Sequence, residues 1–193
     1  CYPYITKPIE EGGLGFDYKW NMGWMHDTLE FFKMSPEERK NNYYQLTHSM
    51  SYFYSEKFLL SLSHDEVVHE KATIIQKMNS HREVKFPQAR VLYLYMITHP
   101  GKKLNFMGNE IGQFREWDEK REQDWQLLQQ PEHQAFYRYM VDLNKTYMYH
   151  PALFDNDYGT ESFEWIDDNN FEQCIYAFKR QSCGENLIIV MNL

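Results

Sequence analysis

Residues 63–70 read SHDEVVHE, and they follow directly on an apolar run, FLLSL. A carboxylate beside an imidazole can bind hydroxyl groups, move a proton or stabilise a developing positive charge. His64, Asp65 and His69 are therefore candidates for chemistry. A metal is a poor fit. His64 and His69 stand five residues apart, whereas two ligands on one helical face stand three or four apart. The sequence predicts no metal and no cofactor.

The same stretch also has a purely structural explanation. Ser63 as N-cap, with Glu66 three residues on, predicts a capping box, and Asp65 would complement the dipole of the following helix. The two explanations are compatible. The C-terminal end of a buried strand is where parallel α/β folds keep their ligands.

Other clusters share this logic. FMGNE, residues 106–110, places Asn109 and Glu110 just past a strand and a glycine turn. Trp117, Asp124 and Trp125 lie in REWDEKREQDW, and Trp20, Asn21 and Trp24 in WNMGW. Flat indole faces suit the C–H faces of a pyranose, and nearby carboxylates and amides suit its hydroxyls. The same indoles could equally be packing, the commoner use of aromatic side chains. Neither a Gly-x-Ser-x-Gly elbow nor a phosphate-cradling glycine loop with its lysine is present.

These residues need elements to hold them. Gly12, Gly13 and Gly15 predict a loop ahead of a short strand at 16–19. MGWMHDTLEFFKM predicts an amphipathic helix. Ser35, Pro36 and Glu38 predict a capping box that opens a helix running toward Leu46. Phe58–Leu62 predicts a strand buried on both faces. Residues 67–78 read as helical, and a further helix is expected after Pro87, stopping at Gly101. A strand at 103–107 and a long helix from Pro131 toward His150 follow. Beyond Pro151, the runs SFEWI, QCIYAFKR and NLIIVMNL are separated by turn-rich DDNN and SCGE, which are hairpin signals. The order argues an α/β unit with a parallel sheet, then a small antiparallel β unit.

The chain has 193 residues and a net charge of −8, with no basic stripe, so no nucleic-acid partner is expected. No apolar stretch reaches membrane-spanning length, so none is expected there either. Cys1, Cys174 and Cys183 lack metal-ligand spacing and read as reduced thiols of a cytoplasmic protein. The opening CYPYITKP and the closing LIIVMNL both read as cut from a longer chain.

GGLGFDYKWNMGWMHDTLEFF, LSHDEVVHEK, HPGKKLNFMGNEIGQFREW and QDW strongly resemble the bacterial-type 1,4-α-glucan (glycogen) branching enzymes of the α-amylase family. The resemblance runs from about residue 10 to the end. It implies α/β architecture: part of a (β/α)₈ TIM barrel, with strand six at 16–19, strand seven at Phe58–Leu62 and strand eight at 103–107. On this basis residues 1–154 would be barrel, and 155–193 the start of an antiparallel β domain. The implied partner is an α-1,4-glucan such as glycogen or amylose. The implied reaction is a retaining transfer to a 6-hydroxyl through a covalent glycosyl enzyme. By motif, Asp65 would stabilise the transition state and His64 would donate to the same sugar. The nucleophilic aspartate and the acid/base glutamate would lie upstream of this chain. Two positions depart from the family pattern: Glu70 stands where glycine is expected, and Ser61 where proline is common. A related hydrolase or debranching enzyme, or a non-catalytic glucan-binding module, are the competing readings. A barrel missing strands one to five would expose the inward faces of Phe58–Leu62 and of residues 103–107. The chain is therefore expected to be a dimer or larger, for which a two-fold homodimer is one arrangement, or to be poorly soluble.

Overall fold

The computed structural model describes residues 4–193. Cys1 and the cysteine reading attached to it lie outside the described residues; Cys174 is buried and Cys183 exposed, both as free thiols.

In chain order the elements are β1 (Lys19–Trp20), α1 (Met22–Lys33), α2 (Pro36–Asn41), α3 (Tyr44–Thr47), β2 (Phe58–Leu62), α4 (Ile74–Lys77), α5 (Arg82–Thr98), β3 (Lys102–Asn105), α6 (Pro131–Tyr149), β4 (Phe163–Asn170), β5 (Ile175–Ser182) and β6 (Glu185–Asn192). Two three-stranded sheets result. β1, β2 and β3 pair in parallel, with Lys19 opposite Phe58 and Leu59 opposite Lys102. β4, β5 and β6 form an antiparallel meander. Its second turn is Cys183–Gly184, with both residues at positive φ (51° and 80°), the geometry a two-residue hairpin needs.

Several elements differ in extent from their sequence expectation, each for a visible reason. The strand expected at 16–19 shortens to Lys19–Trp20, because residues 14–16 bond backward instead. The Leu14, Gly15 and Phe16 amides donate to the Tyr4, Lys7 and Ile5 carbonyls. The capping box at Ser35 and Glu38 forms, but its helix ends at Asn41. There the Asn42 side-chain amide takes the Glu38 carbonyl at 2.9 Å, and local bonds of that kind compete with a helix. The helix expected over 67–78 contracts to Ile74–Lys77, because His69, Glu70 and Ala72 all have positive φ. α5 starts at Arg82 rather than after Pro87. Pro87 sits in its second turn, early enough to cost a single backbone bond. The last strand of the parallel sheet ends at Asn105, and the Phe106 amide makes the final bond to the Leu62 carbonyl.

The helices cover the sheet with aromatic bulk. α1 buries Trp24, Met25, Leu29, Phe31 and Phe32, and α5 buries Phe86, Leu92, Tyr93, Tyr95 and Met96. Leu60 and Leu62 of β2 are fully buried, and Phe58 and Ser61 nearly so. The expected uncovering of this strand is thus corrected: its neighbours and the helix layer already close over it. The flanking strands stay more open: β3 is only half-buried with Met107 beyond it exposed, and on the β1 side Leu14, Phe16, Tyr18, Trp20 and Met22 are all exposed.

The antiparallel sheet packs against α1, α3 and α5 as part of one core. Tyr43 and Tyr176 stack at 4.0 Å between centroids, 5° from parallel. Tyr43 Oη donates to the Ile175 carbonyl and Tyr176 Oη to the Tyr43 carbonyl. Arg180 Nη1 donates to the Thr98 carbonyl at the end of α5, at 2.6 Å.

Candidate functional site

Parallel strands end on one rim, so the residues after Trp20, Leu62 and Asn105 converge there. Past Leu62 the buried Ser63 accepts from the Asp65 amide at 3.3 Å, and His64–Glu66 make one 3₁₀ turn. The expected capping box with Glu66 is absent, because the turn is too short: the Glu66 amide bonds the Ser63 carbonyl instead. This turn pushes His64 and Asp65 outward, with 49% and 57% of their side chains exposed.

His64 Nε2 lies 3.3 Å from Asp65 Oδ1. Its ring stands edge-on to Trp117 at 6.3 Å and tilted against Phe106 at 5.8 Å, while those two aromatics meet edge to face at 5.2 Å. The imidazole is therefore held by packing. The Trp117 amide donates to the Val67 carbonyl, which pins the loop after β3 to the turn after β2.

A half-open cleft of about 480 Å³ lies here, with His64, His69, Glu116, Trp117, Asp118 and Arg121 among its walls. Both signs of charge, two imidazoles and an indole face it. That mixture suits a neutral, hydroxyl-rich ligand better than an anion or a greasy one. Asp65 stands beside His64 at the mouth of this cleft and is not itself among its wall residues. Among the described residues, no group of three or more His, Cys, Asp or Glu gathers to hold a metal ion.

The rim brings together His64, Asp65, His69 and Trp117, and it treats the other candidates differently. Asn109 is buried and braces the strand ends, with Nδ2 donating to Asn105 Oδ1 at 3.0 Å. Glu110 turns back to accept from the Gly108 amide at 2.8 Å. Asp124 is engaged by Arg115, at 3.0–3.2 Å to both carboxylate oxygens. Asn21 is a buried N-cap, accepting from the Trp24 amide at 2.9 Å. Trp24 is buried and stacks on Tyr95 at 6.0 Å, so in this structure its face is offered to the core. Trp20 and Trp125 are exposed but do not line the cleft.

Sequence reasoning missed Glu116, Asp118 and Arg121 as wall residues. The adjacency of Glu116 and Asp118 to Trp117 was a usable signal. Glu116's contacts, with residues more than forty positions away, left none.

No protein-family model matches the chain. Its curated relatives are more telling. A 1,4-α-glucan branching enzyme GlgB of Oceanobacillus iheyensis is 48% identical over 98% of this chain, and that of Cereibacter sphaeroides is 46% identical over 99%. The chain matches a segment of the bacterial glucan branching enzymes. It spans only 30% and 26% of the length of these two relatives.

Among solved structures, a debranching enzyme from Nostoc punctiforme, in crystals soaked with acarbose, superposes with a TM-score of 0.65 at 17% identity, over 93% of this chain and 38% of that one. An α-amylase from H. orenii gives 0.57 at 17% identity, over 92% and 39%. At such identity the likeness speaks for the fold alone. The chain's fold matches a portion of the folds of these two proteins, and an antiparallel sheet accompanies the parallel one.

Proposed function

We propose that this chain is the part of a 1,4-α-glucan branching enzyme that carries barrel strands six, seven and eight and the start of the β domain, dividing near residue 154. In the whole enzyme, an α-1,4 linkage would be cleaved and the segment passed to a 6-hydroxyl, giving an α-1,6 branch. Asp65 would act on the oxocarbenium-like transition state, and His64 would hydrogen-bond the sugar beside it. A charge-assisted contact that tightens in the transition state acts on rate rather than on binding. The observation that supports this best is the His64–Asp65 pair, projecting from a parallel strand end beside a cleft walled by Trp117. Its setting in a chain 48% identical to a branching enzyme weighs for branching over hydrolysis.

Retaining transfer needs a nucleophile and an acid/base besides the stabilising carboxylate. On this reading both belong to the part of the enzyme outside these 193 residues. The 193-residue chain alone would then bind α-glucan, in the cytoplasm, without turning it over.

An NMR titration with maltoheptaose tests this reading. The expected result is saturable shifts at His64, Asp65 and Trp117. No shift at these residues would overturn it. Incubation with amylose should yield no α-1,6 linkage, and new branches made by the chain alone would contradict the division of catalytic groups.

A further inference from the structure

Residues 67–72 lead from the strand-end turn to α4 along an unusual path. His69, Glu70 and Ala72 have φ of 58°, 64° and 65°. None is glycine, and a Cβ disfavours this left-handed region. Something outside the segment must therefore hold it.

Glu116 meets that need. Its Oε2 accepts from the Glu70 amide at 3.0 Å, and its Oε1 accepts from the Ala72 amide at 2.7 Å. Two of the three strained residues thus give their N–H groups to one carboxylate, each to its own oxygen. From the other side, the Lys77 ammonium donates to the Glu66 and Ala72 carbonyls, and the Lys71 ammonium donates to the Asp65 carbonyl. His69 lines the same cleft as His64, Glu116 and Trp117.

We infer that Glu116 is a positioning residue: through the Glu70 and Ala72 amides its carboxylate holds the left-handed loop that sets His69 and one wall of the glucan cleft. The inference deepens the functional reading above and rests on it for the identity of the ligand. A carboxylate is the fitting group because both its oxygens accept. Glutamine would keep one acceptor and turn an NH₂ toward an amide N–H. Aspartate would keep the charge but reach one methylene less far.

The test uses the 193-residue chain and its Glu116→Gln variant. Amide exchange followed by NMR should accelerate about tenfold or more at Glu70 and Ala72, while Leu60 and Leu62 in β2 keep their protection. The dissociation constant for maltoheptaose should rise several-fold. Adding Glu70→Gly should restore much of the binding, because glycine takes this conformation without help. A role in general stability alone would not give that rescue. Unchanged exchange at Glu70 and Ala72 would overturn the inference. So would faster exchange with unchanged affinity, or failure of the glycine to rescue. Lost protection throughout β2 would mean that the glutamine variant had unfolded, and Glu116→Asp then carries the same comparison. A wild-type chain that does not bind maltoheptaose would sink the functional reading alone, and the exchange arm would still decide whether Glu116 holds the loop.

Discussion

Arg180 and Asp157 pair at 2.9 Å with both side chains wholly buried. The guanidinium also donates to the carbonyls of Thr98 and Ser162, and Lys102 approaches the second Asp157 oxygen at 3.0 Å. A buried pair of this kind adds little against an apolar replacement of both partners, but breaking it strands a charge. Asp157→Asn should therefore lose about 3 kcal/mol of stability. Guanidinium denaturation of the chain measures it, and a loss under about 1 kcal/mol would mean that water reaches Arg180.

Asp65 offers the opposite case. Its carboxylate is more than half exposed, and the amide of the same residue makes the Ser63 bond. Asp65→Asn in a full-length enzyme should cost about a hundredfold or more in turnover, the scale of one preorganised electrostatic group. The melting temperature should hardly move. Retained turnover with reduced stability would assign Asp65 to the fold instead.

Acid should unfold the chain in two stages. His99 is buried, donates from Nδ1 to the Pro100 carbonyl and meets Ser49 Oγ at Nε2, and its burial lowers its pKa from 6.5 to about 3. Between those values the unfolded chain binds a proton that the folded chain refuses, so stability falls as pH drops from 6.5. Glu56 opposes its own desolvation with bonds from Thr6, Ile5 and Lys19, which hold it at about 2 against 4.5. Its contribution is lost as pH falls from 4.5 toward 2. Below neutrality, melting temperature should decline from pH 6.5 and fall more steeply below 4.5. This course adds to the loss that half-buried Lys103 and Lys77, lowered from 10.5 to about 7 and about 8, bring as pH falls through that higher range. His99→Asn should flatten the first stage only; an unchanged profile would show that His99 is protonated in place.

The open β1 side should make the isolated chain associate. Leu14, Phe16, Tyr18, Trp20 and Met22 are all exposed around this two-residue strand, and an apolar row of that kind beside an unpaired strand edge invites association. Sedimentation should report a dimer or larger. Phe16→Lys with Trp20→Lys should shift it toward monomer, and a wild-type chain that sediments as a monomer would refute the proposal.

Periodicity and punctuation made much of this fold legible. Phe58–Leu62 appears with the bounds its apolar run predicts, and Ser35 and Glu38 cap as their spacing says. The region after Ser63 was harder. VVHEKATIIQKM has helical composition, but a carboxylate from residue 116 stabilises a different backbone there. Local sequence does not carry a bond that distant. The same limit separates the tryptophans. Trp24, between Gly23 and Met25, is sealed against Tyr95, whereas Trp117, between Glu116 and Asp118, borders the cleft. The helical phase of Trp24, shared with Thr28 and Phe31, was the readable clue that it faces inward.

The seam between the two sheets has an asymmetry of its own. Tyr43, Tyr176 and Arg180 each donate there to a main-chain carbonyl: those of Ile175, Tyr43 and Thr98 in turn. Carbonyls persist whatever side chain they carry. The receiving positions Ile175 and Thr98 are thus free to drift in identity so long as the backbone keeps its path, whereas the three donors have no such latitude. A mutational scan of this boundary would find its intolerance gathered on the hydroxyls and the guanidinium, with permissive neighbours directly opposite them.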